Sequence, residues 1–246
     1  MTGKLFIGTS NVVLPVPRYA FPPEYQAMSR LGYYSTLFNS VEINSTFYKT
    51  PRGITLMRWT LETTKEFEFT LKLSRDITHK KPFVVNLPDI DNFLEVTQVM
   101  TAKQGCLLVQ FPASITEDYF ERVVAVLRRI RLRKRSDWKV AVEFRHDSWY
   151  ADHVYRMLLS QKASLVLHDK RGSKTPALEL PFRNMYLRFH GPQGDYRGTY
   201  SDEQLSVYAL RVKKWLQQGK TVYAYFNNTM GTAFSDAQLL RTLCKD

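Results

Sequence analysis

The sequence lacks the features that define several large classes of protein. It has only two cysteines, Cys106 and Cys244, and Cys106 lies in an apolar run typical of a buried strand. This excludes a disulfide framework and a cysteine-ligated metal site. No stretch approaches the roughly 20 apolar residues of a membrane span. The first predicted strand, Leu5 to Gly8, begins so near Met1 that we expect no targeting peptide. The sequence therefore predicts a cytoplasmic protein without a membrane contact.

Several short motifs are also missing. The sequence contains neither the glycine fingerprint of a dinucleotide site nor a phosphate-loop motif. It has no H-x-H or H-E-x-x-H spacing, so we predict no metal site, and we identify no cofactor. A divalent ion remains an alternative, because four of the five histidines fall at or beyond predicted strand ends: His79, His146, His168 and His190. However, strand alternation turns His146 and His168 away from the centre of the fold.

Negative charge is scarce relative to positive charge. Lys and Arg number 35 and Asp and Glu 23, which gives a formal net charge of +12. Such an excess favours anionic substrates or polyanionic partners and carries no information about the fold. We therefore expect the partner to be an anionic small molecule or a nucleic acid. The sequence leaves the oligomeric state open.

A strand followed by a helix recurs along the chain, which is typical of a parallel sheet with covering helices. Eight strands are predicted, and a single (βα)8 TIM-type barrel over residues 1–246 is the simplest closure. One early helix is predicted from about Glu24 to Arg30, ending at Gly32. The crossover after the sixth strand, Lys170 to Arg183, contains Pro176 and Pro181 and is predicted to be irregular. An open doubly wound sheet is the alternative, but its glycine fingerprint is missing.

The predicted fifth strand, Lys139 to His146, carries charge on one face. Val140, Val142 and Phe144 alternate with Ala141, Glu143 and Arg145. In this strand and in three others, polar residues gather toward the carboxyl end. If the strands close a barrel, those ends meet at one mouth, which is where barrel enzymes have their active sites.

Alternation places ten polar or aromatic residues in or above the barrel, Gln110 among them. The candidate site consists of the other nine and of Asn228, which follows one of them. We predict catalytic roles for Glu42, Glu143 and His190, because carboxylates and imidazole serve as acids and bases, and anion binding by Lys72, Arg145 and Arg188. Further candidate substrate ligands are Asp169, Tyr225, Asn227 and Asn228. The alternative is an internal ion-pair network that only holds the strands together.

Six short blocks resemble the motifs of the YecE-like family, a domain of unknown function. In order they are Ile7-Gly8-Thr9-Ser10, Val41 to Tyr48, Ile77-Thr78-His79, Val142 to Trp149, Arg188-Phe189-His190-Gly191 and Tyr225-Phe226-Asn227-Asn228. The resemblance covers nearly the whole chain. It implies a TIM-type barrel and brings no established activity. The chain departs from the family pattern at Asn11, where relatives have glycine, and at Thr229, where they have aspartate.

These observations support two hypotheses of different class. The first is an enzyme, a hydrolase among the options, that binds a phosphate-bearing anion at the mouth and uses acid/base or hydrolytic chemistry. The second is a nucleic-acid-binding barrel or a divalent-metal-dependent nuclease, which the excess of positive charge favours.

Overall fold

Eight parallel strands form the centre of the fold. The computed structural model describes residues 3–133, 137–176, 179 and 181–245. The strands are β1 (Lys4–Thr9), β2 (Ser40–Ile43), β3 (Glu68–Lys72), β4 (Gln104–Phe111), β5 (Lys139–Phe144), β6 (Ala163–His168), β7 (Asn184–Phe189) and β8 (Thr221–Phe226).

Helices cover the outside of the sheet. They are α1 (Arg30–Leu37), α2 (Gly53–Glu62), α3 (Arg75–Thr78), α4 (Leu87–Thr97), α5 (Phe120–Arg133), α6 (Asp152–Ser160), α7 (Asp202–Gln217) and α8 (Ala233–Leu243). Between β6 and β7, the described residues form no helix, which agrees with the predicted irregular crossover. Residues 177, 178 and 180 of that crossover lie outside the described part.

The strands are hydrogen-bonded in the order β1-β8-β7-β6-β5-β4-β3-β2, all parallel. The ring closes between β1 and β2, where the ladder shrinks to one bridge, Ser10 to Glu42. The side chain of Asn39 reinforces this seam. Its Nδ2 donates to the carbonyl of Leu5 at 2.7 Å, and its Oδ1 accepts from the amide of Ile7 at 2.9 Å. The sheet is therefore a nearly closed (βα)8 TIM-type barrel, which confirms the predicted fold class.

The two faces of each strand belong to different cores. On β5, Val140, Val142 and Phe144 join the large apolar layer between sheet and helices, whereas Ala141 joins a small cluster inside the barrel. The alternation predicted for this strand is thus confirmed. The interior cluster consists of Phe6, Cys106, Leu108, Ala141, Val166, Tyr186, Tyr223 and Tyr225. It fills the lower barrel and lies below the charged residues at the carboxyl ends of the strands.

The predicted helix from Glu24 to Arg30 is wrong. Residues Pro23–Tyr25 form one 3-10 turn, and α1 begins where the predicted helix was to end. Ser29 caps α1 by accepting a hydrogen bond from the amide of Gly32 at 2.9 Å. Gly32 therefore lies in the first turn. A Cβ at this position would approach the carbonyl oxygen of Glu62 to 3.1 Å, so glycine serves close packing against α2.

None of the helices in the described residues is both long and apolar enough to cross a membrane.

Candidate functional site at the carboxyl end of the barrel

Charged side chains replace the apolar interior at the carboxyl ends of the strands. Glu42, Glu143 and Arg188 extend into the barrel from β2, β5 and β7, and each is at most 3% exposed. Lys72 ends β3, and Arg145 follows β5 directly. Residues that are distant in sequence therefore meet at one mouth, as the alternation of the strands predicts.

Arg188 lies at the centre of this cluster and bridges two carboxylates. Its Nη2 and Nε donate to Glu42 at 2.9 and 3.1 Å, and its Nη1 donates to Oε2 of Glu143 at 3.1 Å. Nη2 also lies 3.3 Å from Oδ1 of Asn44. Every guanidinium nitrogen thus has an acceptor. In this arrangement Arg188 is part of the ion-pair network and is not open to an incoming anion.

The Glu42 carboxylate is held by hydrogen bonds from Ser10, Tyr186 and Arg188. Oε1 accepts from the Ser10 hydroxyl and Oε2 from the Tyr186 hydroxyl, both at 2.6 Å. Burial acts to raise the pKa of the Glu42 carboxyl, but the Arg188 charge and the two hydroxyl contacts outweigh it and lower that pKa below its ordinary value. Glu42 is therefore an ionised carboxylate that orients Arg188.

Glu143 contacts two guanidinium groups. Besides the contact with Arg188, its Oε1 pairs with Nη2 of Arg145. Burial acts to raise the pKa of Glu143, but the charges of Arg145 and Arg188 outweigh it and hold that pKa well below its usual value. Both carboxylates of the predicted acid/base pair are thus ionised. Neither has the raised pKa of a general acid.

His190 accepts a hydrogen bond from the same guanidinium. Nη2 of Arg145 donates to Nε2 of His190 at 3.0 Å, so the imidazole proton lies on Nδ1. Nδ1 faces Oδ1 of Asp169 at 3.3 Å. Asp169 in turn accepts from the backbone amide of His190 at 2.6 Å and from the hydroxyl of Tyr200. Burial lowers the pKa of His190, although the contact with Asp169 opposes this. A neutral imidazole with a fixed tautomer results, and its basic nitrogen is covered by Arg145.

Lys72 differs from the two arginines because it has no anionic partner. No carboxylate of the described residues lies within salt-bridge distance of its Nζ, and no acceptor within hydrogen-bond distance. The ammonium lies 4.0 Å from the centre of the Phe47 ring, and Lys72 is 9% exposed. Burial, followed by the charge of Arg188, lowers its pKa to about 7.

Local structure fixes both partners of this contact. A 3-10 turn, Ser45–Phe47, follows β2 and brings Phe47 over the end of β3. The hydroxyl of Thr46 donates to the carbonyl of Lys72 at 2.7 Å and ties the turn to the strand. The ring of His79 packs edge-on against Phe47, with centroids 4.7 Å apart. Burial, followed by the Lys72 charge, lowers the pKa of His79 to about 4.

The predicted orientation of His168 is wrong. Ser164, Val166 and His168 share one face of β6, and Val166 belongs to the interior cluster, so His168 also turns inward. Its ring meets that of His190 edge-on, with centroids 5.7 Å apart. β6 is a nearly continuous apolar run, so its two faces are hard to tell apart in the sequence, and the alternation predicted for it was assigned the wrong way round.

Three other candidates lie apart from the charged cluster. The hydroxyl of Tyr225 is in hydrogen-bond contact with Ser40 at 2.6 Å and with Thr70 at 2.8 Å, among the apolar residues of the interior. Asn228 donates through Nδ2 to Asp236 at 2.7 Å and to the carbonyl of Gly198 at 3.0 Å, which ties two loops together. Asn227 is 9% exposed at the end of β8. Substrate contact by these three residues stays a prediction.

Four residues that hold the charged groups in place were not among the predicted site residues: Ser10, Asn44, Tyr186 and Tyr200. Ser10 and Asn44 were within the motif blocks, but their types are common in turns. Tyr186 falls on the inward face of β7 together with Arg188, so alternation could have found it. Tyr200 comes from the loop before α7, and no sequence signal links it to Asp169.

Asn11, where the chain departs from the family pattern, has a left-handed backbone with φ of 61°. Glycine adopts that conformation freely, and asparagine is among the few other residues that tolerate it. Oδ1 of Asn11 also accepts from the amide of Asn44 at 3.0 Å. The substitution therefore preserves the turn at the barrel seam.

In the described residues, no group of three or more His, Cys, Asp or Glu side chains could hold a metal ion. This gives the metal-dependent nuclease alternative no ligand set. The chain also has a basic run, Arg128 to Arg135. Its described part closes α5, where Arg129 contacts Asp91, and residues 134 and 135 lie outside the described residues.

The fold and the site together define the class of this protein: it is a (βα)8 barrel with a buried charged cluster at its carboxyl-terminal mouth. The family model described as "Protein of unknown function DUF72" matches residues 7–246, and the chain belongs to this family. The resemblance seen in the sequence is thereby confirmed.

Relatives are found among both sequences and solved structures. The chain is 28% identical to UPF0759 protein YunF of Bacillus subtilis, over 88% of this chain and 86% of that protein. It is 24% identical to UPF0759 protein YecE of Escherichia coli K12, over 57% of this chain and 50% of that protein. A DUF72 family protein of Thermotoga maritima superposes with a TM-score of 0.79 at 24% identity, over 99% of this chain and 100% of that one. A DUF72 family protein of Enterococcus faecalis superposes with a TM-score of 0.78 at 21% identity, over 98% of this chain and 95% of that one. These structures share the barrel fold.

Proposed function

We propose that this protein is an enzyme that binds an anionic, phosphate-bearing small molecule at the carboxyl-terminal mouth of the barrel. The observation that carries the proposal is the unpaired ammonium of Lys72. A buried charge without a counterion costs several kcal/mol, so such groups pair with a protein group or with a ligand. Within the described residues, no carboxylate forms an ion pair with Lys72. An anionic ligand would supply the missing charge.

Arg145 supports the same assignment. Its side chain is 10% exposed, and its Nε has no hydrogen-bond partner within the described residues. A planar guanidinium suits bidentate contact with a phosphate. Together, Lys72 and Arg145 would offer two cationic groups to one ligand.

Binding at Arg145 would also expose the acid/base groups. One nitrogen, Nη2, contacts both Oε1 of Glu143 and Nε2 of His190. A phosphate that draws this guanidinium toward itself would free Oε1 of Glu143, whose Oε2 stays paired with Arg188, and at the same moment Nε2 of the neutral His190. Glu143 and His190 would then act as bases, whereas Glu42 would hold Arg188 in position.

The proposal is tested by thermal unfolding with inorganic phosphate, phosphorylated sugars and short DNA and RNA. A ligand at a hundredfold its dissociation constant stabilises the fold by about 2.7 kcal/mol, or roughly 5 to 10 °C for a chain of this size. We expect a phosphate-dependent shift that Lys72→Met and Arg145→Met each reduce. Lys65→Met is the matched control, because Lys65 is exposed at the opposite end of the barrel.

Two outcomes contradict the proposal. One is the lack of a shift with every phosphorylated compound. The other is a shift with nucleic acid only, erased by salt and unchanged in Lys72→Met. That result favours the alternative, in which the net charge of +12 binds a polyanion at the surface.

A further inference from the structure

We infer that Lys72 is a nucleophile that forms an imine with the carbonyl group of an anionic aldehyde, ketone or 2-oxo acid. This inference rests on the proposed function and names its substrate class. Its basis is the position of the amine: at the mouth, at the end of a rigid strand, nine-tenths buried and without an acceptor in the described residues.

The surroundings of Lys72 favour the neutral amine. Nζ lies 4.0 Å from the centre of the Phe47 ring, a contact that stabilises the ammonium, so the neutral form is favoured by burial and by the nearby cations instead. The charged groups that face it are Arg188, Arg145, Glu143 and Glu42. Because both carboxylates already pair with the arginines, they compensate the ammonium only in part. With a pKa near 7, about half of the side chains would be unprotonated at neutral pH. Burial and nearby cations activate lysine amines in this way.

The remaining residues of the mouth suit such a reaction. Arg145 would hold the anionic end of the substrate. Lys72 would bind a simple anion such as phosphate in its protonated form and attack a carbonyl carbon in its neutral form, and a pKa near 7 keeps both forms populated. His79, whose ring packs on the same Phe47, is a neutral imidazole beside this amine, with its Nδ1 in hydrogen-bond contact with the Thr78 hydroxyl at 2.7 Å and its Nε2 3.5 Å from the Gln110 amide nitrogen. The interior cluster closes the barrel below, so the substrate can approach only from the mouth.

The reaction balances without an added reagent. The Lys72 nitrogen forms a bond to the carbonyl carbon, and the π electrons move to the oxygen, which takes up a proton as the nitrogen loses one. That oxygen then leaves as water, together with the second amine proton, and a C=N bond forms. The net change is one carbonyl and one amine converted to one imine and one water.

The first experiment measures amine reactivity without any substrate. The full chain is labelled with limiting acetic anhydride between pH 5 and 10, and peptide mass spectrometry reports the acetylation rate at each lysine. We expect the Lys72 rate to rise to a plateau with a midpoint near pH 7, ahead of Lys65. A Lys72 rate that is still rising at pH 9 would overturn the inference.

The second experiment traps the imine. Protein is incubated with dihydroxyacetone phosphate, glyceraldehyde 3-phosphate or pyruvate, reduced with borohydride and mapped by mass spectrometry. We expect at least one probe to give a single adduct at Lys72, to be displaced by inorganic phosphate, and to leave Lys72→Arg unlabelled. Adducts spread over exposed lysines, or none at Lys72 with any probe, would contradict the inference.

The two proposals fail in different ways. If phosphate still stabilises the wild type and Lys72→Arg, but Lys72 forms no adduct, anion binding stands and the nucleophilic role falls. If no phosphorylated compound shifts the melting temperature, the proposed function itself falls.

Discussion

Arg188 shows how strongly a single residue can depend on its neighbours in this barrel. It is 3% exposed and contacts two carboxylates that are themselves fully buried. Removing one member of such a group leaves the others without compensation, which costs more than the pair contributes when intact. The folded state therefore needs these charges as a set.

We predict that Arg188→Met lowers the free energy of unfolding by about 3 to 5 kcal/mol, because Glu42 and Glu143 lose their shared counterion. Adding Glu42→Gln should restore part of that loss, since Glu143 still pairs with Arg145 and Glu42 then carries no unpaired charge. Urea unfolding measures both variants. Arg58→Met, at an exposed pair 3.5 Å from Glu62, should change stability by less than about 0.5 kcal/mol. A similarly small effect at Arg188 would contradict the prediction.

His168 should make the fold sensitive to mild acid. Its Nε2 donates to the carbonyl of Phe144 at 3.1 Å and its Nδ1 accepts from the amide of Lys170 at 3.3 Å, so the neutral ring satisfies both contacts. Burial lowers its pKa to about 4. Between pH 6.5 and 4, the unfolded chain binds the proton more readily than the folded chain. Stability should therefore fall with decreasing pH, by up to about 1.4 kcal/mol per pH unit for this group.

The measurement is urea unfolding of wild type and His168→Gln from pH 7 to 4. The difference between the two should shrink as the pH falls, since the variant lacks this titration. Parallel stability curves would show that His168 does not titrate as predicted. The analogous variant His79→Gln separates the contribution of the second histidine with a pKa near 4.

Alternation in the sequence located the charged cluster but not its pairing. Glu143 and Arg145 share the inward face of β5, and their polarity contrasts with Val142 and Phe144, so the pattern was readable. Which carboxylate meets which guanidinium depends on strand stagger and rotamers. The isolation of Lys72 is likewise invisible in the sequence, because it follows from where Phe47 and the arginines lie in three dimensions.

At the scale of elements, α7 is held at its start by a reciprocal capping box. The Ser201 hydroxyl oxygen accepts from the amide of Gln204 at 3.2 Å, and Oε1 of Gln204 accepts from the amide of Ser201 at 2.9 Å. Two amides that the helix leaves unpaired are thereby satisfied. This cap orients the helix behind Tyr200 and so supports Asp169 indirectly.

We predict that Ser201→Ala lowers the free energy of unfolding by about 1 kcal/mol, because the cap is lost. Thr60→Ala within α2 is the control and should not destabilise, since alanine is the better helix former at an interior position. Thermal or urea unfolding distinguishes the two. Equal effects would mean that the cap contributes little.

Element bounds were predictable where local signals agree. Ser201 with Gln204 forms a capping-box pair that marks the start of α7 in the sequence as in the structure. The signals at Gly32 conflict: glycine suggests a helix end, whereas Ser29 three residues earlier suggests a start. The cap contact resolves the conflict in favour of a start, and long-range packing against Glu62 explains the glycine.

For the molecule as a whole, the weakest closure of the ring is the seam between β1 and β2. We predict that Asn39→Ala, which removes two side-chain hydrogen bonds across the seam, lowers the free energy of unfolding by about 1 to 3 kcal/mol. Native-state hydrogen exchange should show faster exchange at the Ile7 amide. Asn92→Ala on the exposed face of α4 is the control. Unchanged exchange at Ile7 would mean that the seam holds without Asn39.

The same seam bears on the order in which the barrel assembles. β1 is paired with β8 over six residues, Lys4 to Thr9, whereas its link to β2 consists of one bridge, the Asn39 side chain and the contacts of Ser10 and Asn11 just beyond the strand. β1 and β2 are close in sequence and β8 is far from both. The short pairing with β2 nevertheless stabilises β1 much less than the six-residue pairing with β8 does. We therefore expect β1 to be among the last strands of the barrel to pair during folding, after β8 has formed.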